Sequence, residues 1–468
     1  MKIRFAVVAA ATALTALPAL AQTTVGVSSS TNITIGGLIA MGVKNSEISQ
    51  GNAATARPTA NETGVYDNTS RFVISSTSKI ADGWTVFARI ESRMPMNVRP
   101  GDALLSTPGV AVGAGTASGT GVGTTNLTTG VTTVTGITAT TSTNLATNGA
   151  TGWADGDTWA GIGTPWGNFY LGHMHLYVTD GLSVGYLSPA LEHPGEGYRV
   201  WDVQALGIFN IMDTYMVGKQ DGVSLLGKKN TLSITRSRNV IKWDSLTFKP
   251  DAASMLTFSL AYSKNAAGPQ YSYIASNPGY SGGSTIFGKV LYNGYGFSAM
   301  GLYLDQKFQG GSDTIATTGV ASLTNTELKA MRLGLSYKWN GIKAGVLYDN
   351  TSMVNGGLNA AGAIIGDSGR TAIQIPVSYQ WGDHGVYATY TLAGKTESQA
   401  NTAAKQMTFA YDYALTKRAF IGVALTTINN DSRVNYQGFL TGYSAFGNSS
   451  LGYGESWRQL SLSLNYWF

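Results

Sequence analysis

Residues 87–93, FARIESR, place Arg89, Glu91 and Arg93 at every second position. Successive side chains of a strand point to opposite faces, so these three share one face while Val86, Ala88 and Ile90 take the other. Farther along, Arg236, Arg238, Lys242 and Asp244 fall in one phase, opposite Ile241 and Trp243. Arg71 shares a face with Val73 and Ser75, opposite Phe72 and Ile74. A dry core does not hold so many charges, so the charged faces belong to water. Facing charges on a wetted wall polarise the water and select the ions that pass between them.

Covalent chemistry has weaker support. GLSVG (181–185) and GYSGG (279–283) match the G-x-S-x-G pattern, but neither lies between a strand and a helix as a nucleophile elbow requires. The glycine-rich stretch 113–123 lacks the Lys of a phosphate loop. His173 and His175 share a strand face with no third ligand in view, which does not make a metal site. With no Cys, thiol catalysis, disulfides and thiolate metal sites are excluded. The residues predict no enzyme activity and no cofactor.

Alternation of period two, broken by Gly, Pro, Asn and Asp, recurs from Thr31 to the final QLSLSLNYWF. It predicts sixteen strands, over 31–44, 69–79, 84–94, 156–164, 167–175, 236–249, 254–264, 285–293, 296–308, 327–339, 341–352, 371–381, 384–396, 405–415, 419–430 and 456–468. Short connections such as ADGW (81–84), NGYG (293–296) and WNG (339–341) carry turn residues. Long ones take turns with them, at 45–68, 95–155, 176–235, 265–284, 309–326, 353–370, 397–404 and 431–455.

The composition agrees with strands that turn apolar side chains outward. Charged residues are 12% of the chain, about half the ~25% of a soluble domain. Residues 1–21 carry Lys2 and Arg4, an apolar stretch and the small-residue pattern Ala19-Leu20-Ala21, which predicts an export leader cleaved after Ala21. Removing those two basic residues takes the formal charge from +5 to +3, too weak and scattered for nucleic-acid binding. No apolar run past the leader reaches a helix-spanning length. Aromatics gather near strand ends, as in Tyr337 and Trp339 or Tyr379 and Trp381. Together these features predict an all-β, sixteen-stranded antiparallel transmembrane barrel over 22–468, with short turns at one end and long loops at the other. A soluble β-sandwich shares the alternation but could not bury Arg89, Glu91 and Arg93.

TNITIGGLIAMGV (31–43), SRFVISSTSKIADGWTVFARIES (70–92), GDTWAGIGTPWGNFYLGHMHLYVTD (156–180), RSRNVIKWDS (236–245) and the aromatic last strand resemble the trimeric general porins of Gram-negative bacteria, especially the Neisseria and Burkholderia type. The resemblance implies three barrels per assembly, in contact with outer-membrane lipid and lipopolysaccharide. It implies that a terminal Phe, here Phe468, is read by the barrel-assembly machinery. It also implies that the third long loop, 176–235, folds into the barrel and sets acidic residues against a basic wall. Glu192, Glu196, Asp202 and Asp213 are the acidic candidates on that loop, and Arg71, Arg236 and Lys242 match basic wall positions of the family. Where the family has LGR this chain reads LGH, so His173 replaces an expected arginine.

The loop 95–155 includes a stretch, 103–154, with no charged residue and much Thr, Gly, Ala and Val. It reads as a variable exposed segment, or as Thr/Val runs that pair as strands over a neighbouring barrel and latch a trimer. The expected function is passive diffusion of small hydrophilic solutes and ions, weakly favouring anions. A substrate-selective channel, or an adhesive surface barrel with a plugged lumen, are the alternatives.

Overall fold

A computed structural model of the chain describes residues 23–28, 30–49, 60–67, 70–93, 122–125, 132–135, 156–174, 176, 211–214, 219–220, 223–224, 237–264, 281–309, 326–358, 364–397, 400–434, 436 and 454–468. The first strands are β1 Thr23–Ser28, β2 Thr31–Ser49, β3 Ala60–Asp67, β4 Arg71–Ala81 and β5 Trp84–Arg93. Then come β6 Val122–Thr125, β7 Thr132–Thr135, β8 Thr158–Thr164, β9 Gly167–Met174, a helix α1 Ile211–Thr214, β10 Lys219–Gln220, β11 Val223–Ser224 and β12 Ser237–Asp244. The second half holds β13 Ser254–Lys264, β14 Ser281–Gly294, β15 Phe297–Gln309, β16 Thr326–Trp339, β17 Ile342–Leu358, β18 Ile364–Trp381, β19 His384–Ala393, β20 Ala404–Ala414, β21 Ala419–Asn430 and β22 Ser456–Trp467.

Eighteen of these strands form one sheet. Pairing runs antiparallel from β2 through β4, β5, β8, β9 and β12 to β22, and β22 pairs back on β2. Two positions are shared. β3 and β4 lie in line along one edge of β2, and β22 and β1 lie in line along the other. Eighteen strands therefore occupy sixteen positions of a closed antiparallel barrel, which leaves no unpaired edge in lipid.

Side-chain alternation explains why these segments take this form. In β20 and β22 burial alternates residue by residue. Leu460 and Leu462 are exposed on the outer face, while Gln459, Ser461, Ser463 and Asn465 are buried on the inner one. Outward positions elsewhere carry Leu333, Leu335, Ile373, Ile375 and Val377, all exposed as lipid requires. Around the short-turn end Phe297 packs on Tyr337, and Tyr379 stacks on Trp381, an interfacial aromatic girdle. The two-residue turns there need positive φ at both centres. Tyr295 and Gly296 have φ of 54° and 82°, and Asn340 and Gly341 have 47° and 82°. At the same end, hydrogen bonds from the Tyr295 hydroxyl and the Ala253 N–H hold the Asp251 carboxyl below its ordinary pKa.

Several boundaries differ from the sequence expectation. β2 runs on to Ser49, and β3 lies inside the expected loop 45–68. β17 and β18 extend toward each other through the expected loop 353–370. Past the hydrocarbon layer both faces of a strand are wet, so pairing continues there without an apolar alternation to announce it. The strand expected over 236–249 ends at Asp244, and only a single bridge, Phe248 to Leu256, continues beyond it. Residues Val98–Asp155 form a separate compact unit, in which β6 and β7 pair with each other.

Candidate functional site

The inner face of β4 and β5 gathers charge. Glu91, 1% exposed, accepts from Arg71 Nη1 at 3.3 Å on one carboxylate oxygen and from Arg89 Nη2 at 3.1 Å on the other. Two guanidinium groups thus share one carboxylate, and their remaining donors are directed by the strand phase toward the barrel interior. Half of the way round, eight strand positions on, Arg332 Nε on β16 pairs with Asp349 Oδ2 on β17 at 2.9 Å, and Thr351 donates to Asp349 Oδ1 at the same distance. Both members of the pair are fully buried, so losing either would strand a charge at a cost of about 3–5 kcal/mol.

A fourth basic residue performs a different task. Arg370, near the middle of β18, donates to the carbonyls of Ile211 and Met212 at 3.3 and 2.7 Å. It also donates to the Tyr436 hydroxyl at 2.9 Å and lies over that ring. From β20, Gln406 Oε1 accepts the Ile211 N–H at 2.8 Å. Because Arg370 and Gln406 are inward residues of their strands, helix α1 lies against the inner wall. Met212 packs there with Leu347 and Ala372. Asn430 in turn donates to the carbonyls of Tyr436 and Glu455, tying the last long connection to the same wall.

The expected site residues are distributed as follows. Arg71, Arg89 and Glu91 form one cluster. Lys242 on β12 pairs with Asp244 at 3.3 Å and lies 5.9 Å from the centre of the Tyr170 ring. His173, half-buried on β9 opposite Thr158, shares the phase of the exposed Phe169 and Leu171 while Tyr170, Gly172 and Met174 turn inward, so it does not stand on the inner wall as expected. Arg93 closes β5 opposite Arg71, Arg238 stands in β12 and Asp213 in α1, each placed by its backbone alone. Arg236, Glu192, Glu196 and Asp202 lie outside the described residues. Phe468 exchanges two backbone hydrogen bonds with Gly37, at 3.1 and 3.2 Å, and its ring covers that glycine on the outer face.

Sequence reasoning missed Arg332, Asp349, Arg370, Gln406 and Tyr436. For Arg332 the signal was present, since it shares the phase of Gly334 and Ser336 against Leu333 and Leu335. Arg370 and Gln406 gave none, because their partner α1 lies 158 or more positions away in the chain.

A closed barrel with charged groups ranged on its inner wall is the form of a channel, and comparison with known proteins names its kind. The family profile described as Gram-negative porin matches residues 6–433. The chain belongs to the Gram-negative porin family. This porin is similar in fold to an anion-selective porin from Comamonas acidovorans, with 16% identity, a TM-score of 0.59, and coverage of 94% of this chain and 100% of that one. It is also similar to OmpT, an outer membrane protein of Vibrio cholerae solved in a trimer form, with 10% identity, a TM-score of 0.53 and the same coverages. OmpF of Salmonella typhi, in complex with daunomycin, has 13% identity and a TM-score of 0.50 over 95% of this chain and 100% of that one. No curated protein matches the sequence. The porin forms a channel in the outer membrane.

Proposed function

We propose that this porin passes small hydrophilic solutes and ions by passive diffusion with weak preference for anions. The observation that carries this reading is the Arg71–Glu91–Arg89 cluster, two cations on one carboxylate on the inner wall. Arg93, Arg236, Arg238 and Lys242 extend the basic wall in this reading. Segment 176–235 is the constriction loop, and the anchoring of α1 by Arg370 and Gln406 supports its running inside the barrel. Glu192, Glu196, Asp202 and Asp213 supply its acidic side. Small solutes then cross a transverse field at the narrowest section.

The porin acts as a homotrimer, exported by a leader removed after Ala21 and inserted by the barrel-assembly machinery through Phe468. Outward residues on the early strands support the trimer. Ser76, Ala88 and Ala160 form one row across β4, β5 and β8, where the later strands carry Leu, Ile and Val. Small side chains allow a second wall to approach closely, whereas lipid favours the large ones. Lys307 and Lys329, both exposed and paired with Glu327 beyond the apolar band of β15 and β16, suit the phosphates of lipopolysaccharide.

Planar-bilayer conductance of the purified porin in a salt gradient tests the reading. Steps in groups of three with a small anion-favouring reversal potential are expected. A cation-favouring potential overturns the selectivity, and silence from a folded barrel favours a plugged, adhesive one.

A further inference from the structure

We infer that the inner wall of β5, β8, β9 and β12 carries a subsite for planar aromatic carboxylates, such as benzoate. The inference rests on the channel reading above. Strand register defines two adjacent rows across these four strands. One reads Phe87, Gly161, Tyr170, Lys242, and the next reads Arg89, Trp159, Gly172, Val240. Large rings and glycines thus alternate like the squares of a board, and the Phe87 ring leans over Gly161 of the neighbouring strand. A Cβ at Gly161 would run into the Phe87 ring, and one at Gly172 would meet Trp159. Gly161 is what lets the Phe87 ring close up on β8, and Gly172 lets β9 pass close to the Trp159 backbone.

The three rings form a single cluster. Trp159 and Tyr170 meet edge to face at 5.1 Å, Phe87 and Trp159 edge to face at 5.7 Å, and Phe87 and Tyr170 lie tilted at 5.2 Å. Trp159 and Tyr170 back onto the buried apolar side chains of β12 to β16 and remain only partly buried. Since they point inward, the area they leave open faces the interior. A porin wall built for water and ions alone has no use for such a patch.

A cation closes each end. Arg89 stands directly across from Trp159, and Lys242 directly across from Tyr170. Four strands span about 14 Å, enough for one ring to lie on the aromatic floor with its carboxylate against either cation. Both cations already have carboxylate partners, Glu91 for Arg89 and Asp244 for Lys242. An arriving anion shares their remaining donors rather than filling a vacancy, so binding is weak and reversible, as transit through a channel demands.

The test is titration of the purified porin in planar bilayers, under chloride, with benzoate, cyclohexanecarboxylate and acetate, three acids of equal charge. Benzoate is expected to lower chloride conductance saturably at a concentration about threefold to tenfold below that needed for cyclohexanecarboxylate, with acetate ineffective. Trp159→Leu, and separately Phe87→Leu, abolish the benzoate preference while the conductance steps persist. Equal action by benzoate and cyclohexanecarboxylate, or an unchanged preference in both variants, overturns the subsite. Absence of steps in the unmodified porin overturns the channel reading itself, and the subsite falls with it.

Discussion

Glu91 is the carboxylate on which two guanidinium groups converge, so its charge offsets part of the basic wall. Glu91→Gln leaves the amide oxygen as an acceptor but removes the negative charge. The expected outcome is a reversal potential moved toward anions, together with a fall in thermal stability equivalent to about 1–3 kcal/mol. An unmoved potential would mean that Arg71 and Arg89 lie away from the path of the ions. At this scale the sequence was informative wherever phase alone decides. Alternation in FARIESR fixes which way Arg89 and Glu91 point, because a one-residue slip would turn Ile90 inward and a charge into lipid. It says nothing of distance, which is why the sharing of Glu91 by Arg71, twenty positions away, became visible only with the register of β4 on β5.

Among the elements, α1 depends on its anchors. A helix of one turn has no stability of its own. Arg370 supplies two bonds to its carbonyls and a third to Tyr436, so one side chain holds two separate long connections. Arg370→Ala is expected to raise open-channel current noise and bring on voltage closure at lower potentials. Charge-assisted bonds of about 1.5–3 kcal/mol each imply at least a tenfold rise in the displaced population. The thermal midpoint of the sheet should barely move, and Arg370→Lys, which keeps the charge but not the fork, should restore the current only in part. Unchanged noise and closure in Arg370→Ala would show that the anchor is dispensable. Strands within the apolar band, such as β13 and β21, match their expected limits of 254–264 and 419–430. β3 was not legible, since ANETGVYD has no apolar alternation and its place is dictated by pairing with β2. The Thr-rich runs 122–125 and 132–135 pair with each other, a partner the expected latch had not considered.

At the level of the whole molecule, closure and the sixteen positions were readable from the even strand count and the alternation of short and long connections. Sharing of positions was not, because β3 has no strand signal of its own and the Val25–Val27 alternation of β1 is too short to show that it continues the line of β22. The row of Ser76, Ala88 and Ala160 gives the trimer a direct check. Ala160→Trp places a large ring where a second wall is to approach, and the heat-resistant trimer should give way to folded monomers on a semi-native gel. Trimers of unchanged resistance would move the interface elsewhere on the wall.

The meeting of β22 and β1 along β2 has a topological consequence. Phe468 lies beside Gly37 and Thr23 beside Ile35, so the two segments follow one another in the same direction with room for one residue between them, about 7 Å of strand. What looks like a first strand and a last is one strand with a nick. The cylinder is therefore indifferent to where its chain starts: once the leader is removed as proposed, joining Phe468 to Thr23 through Gln22 and cutting within any of the long connections would yield a circular permutant with every rung of the ladder in place.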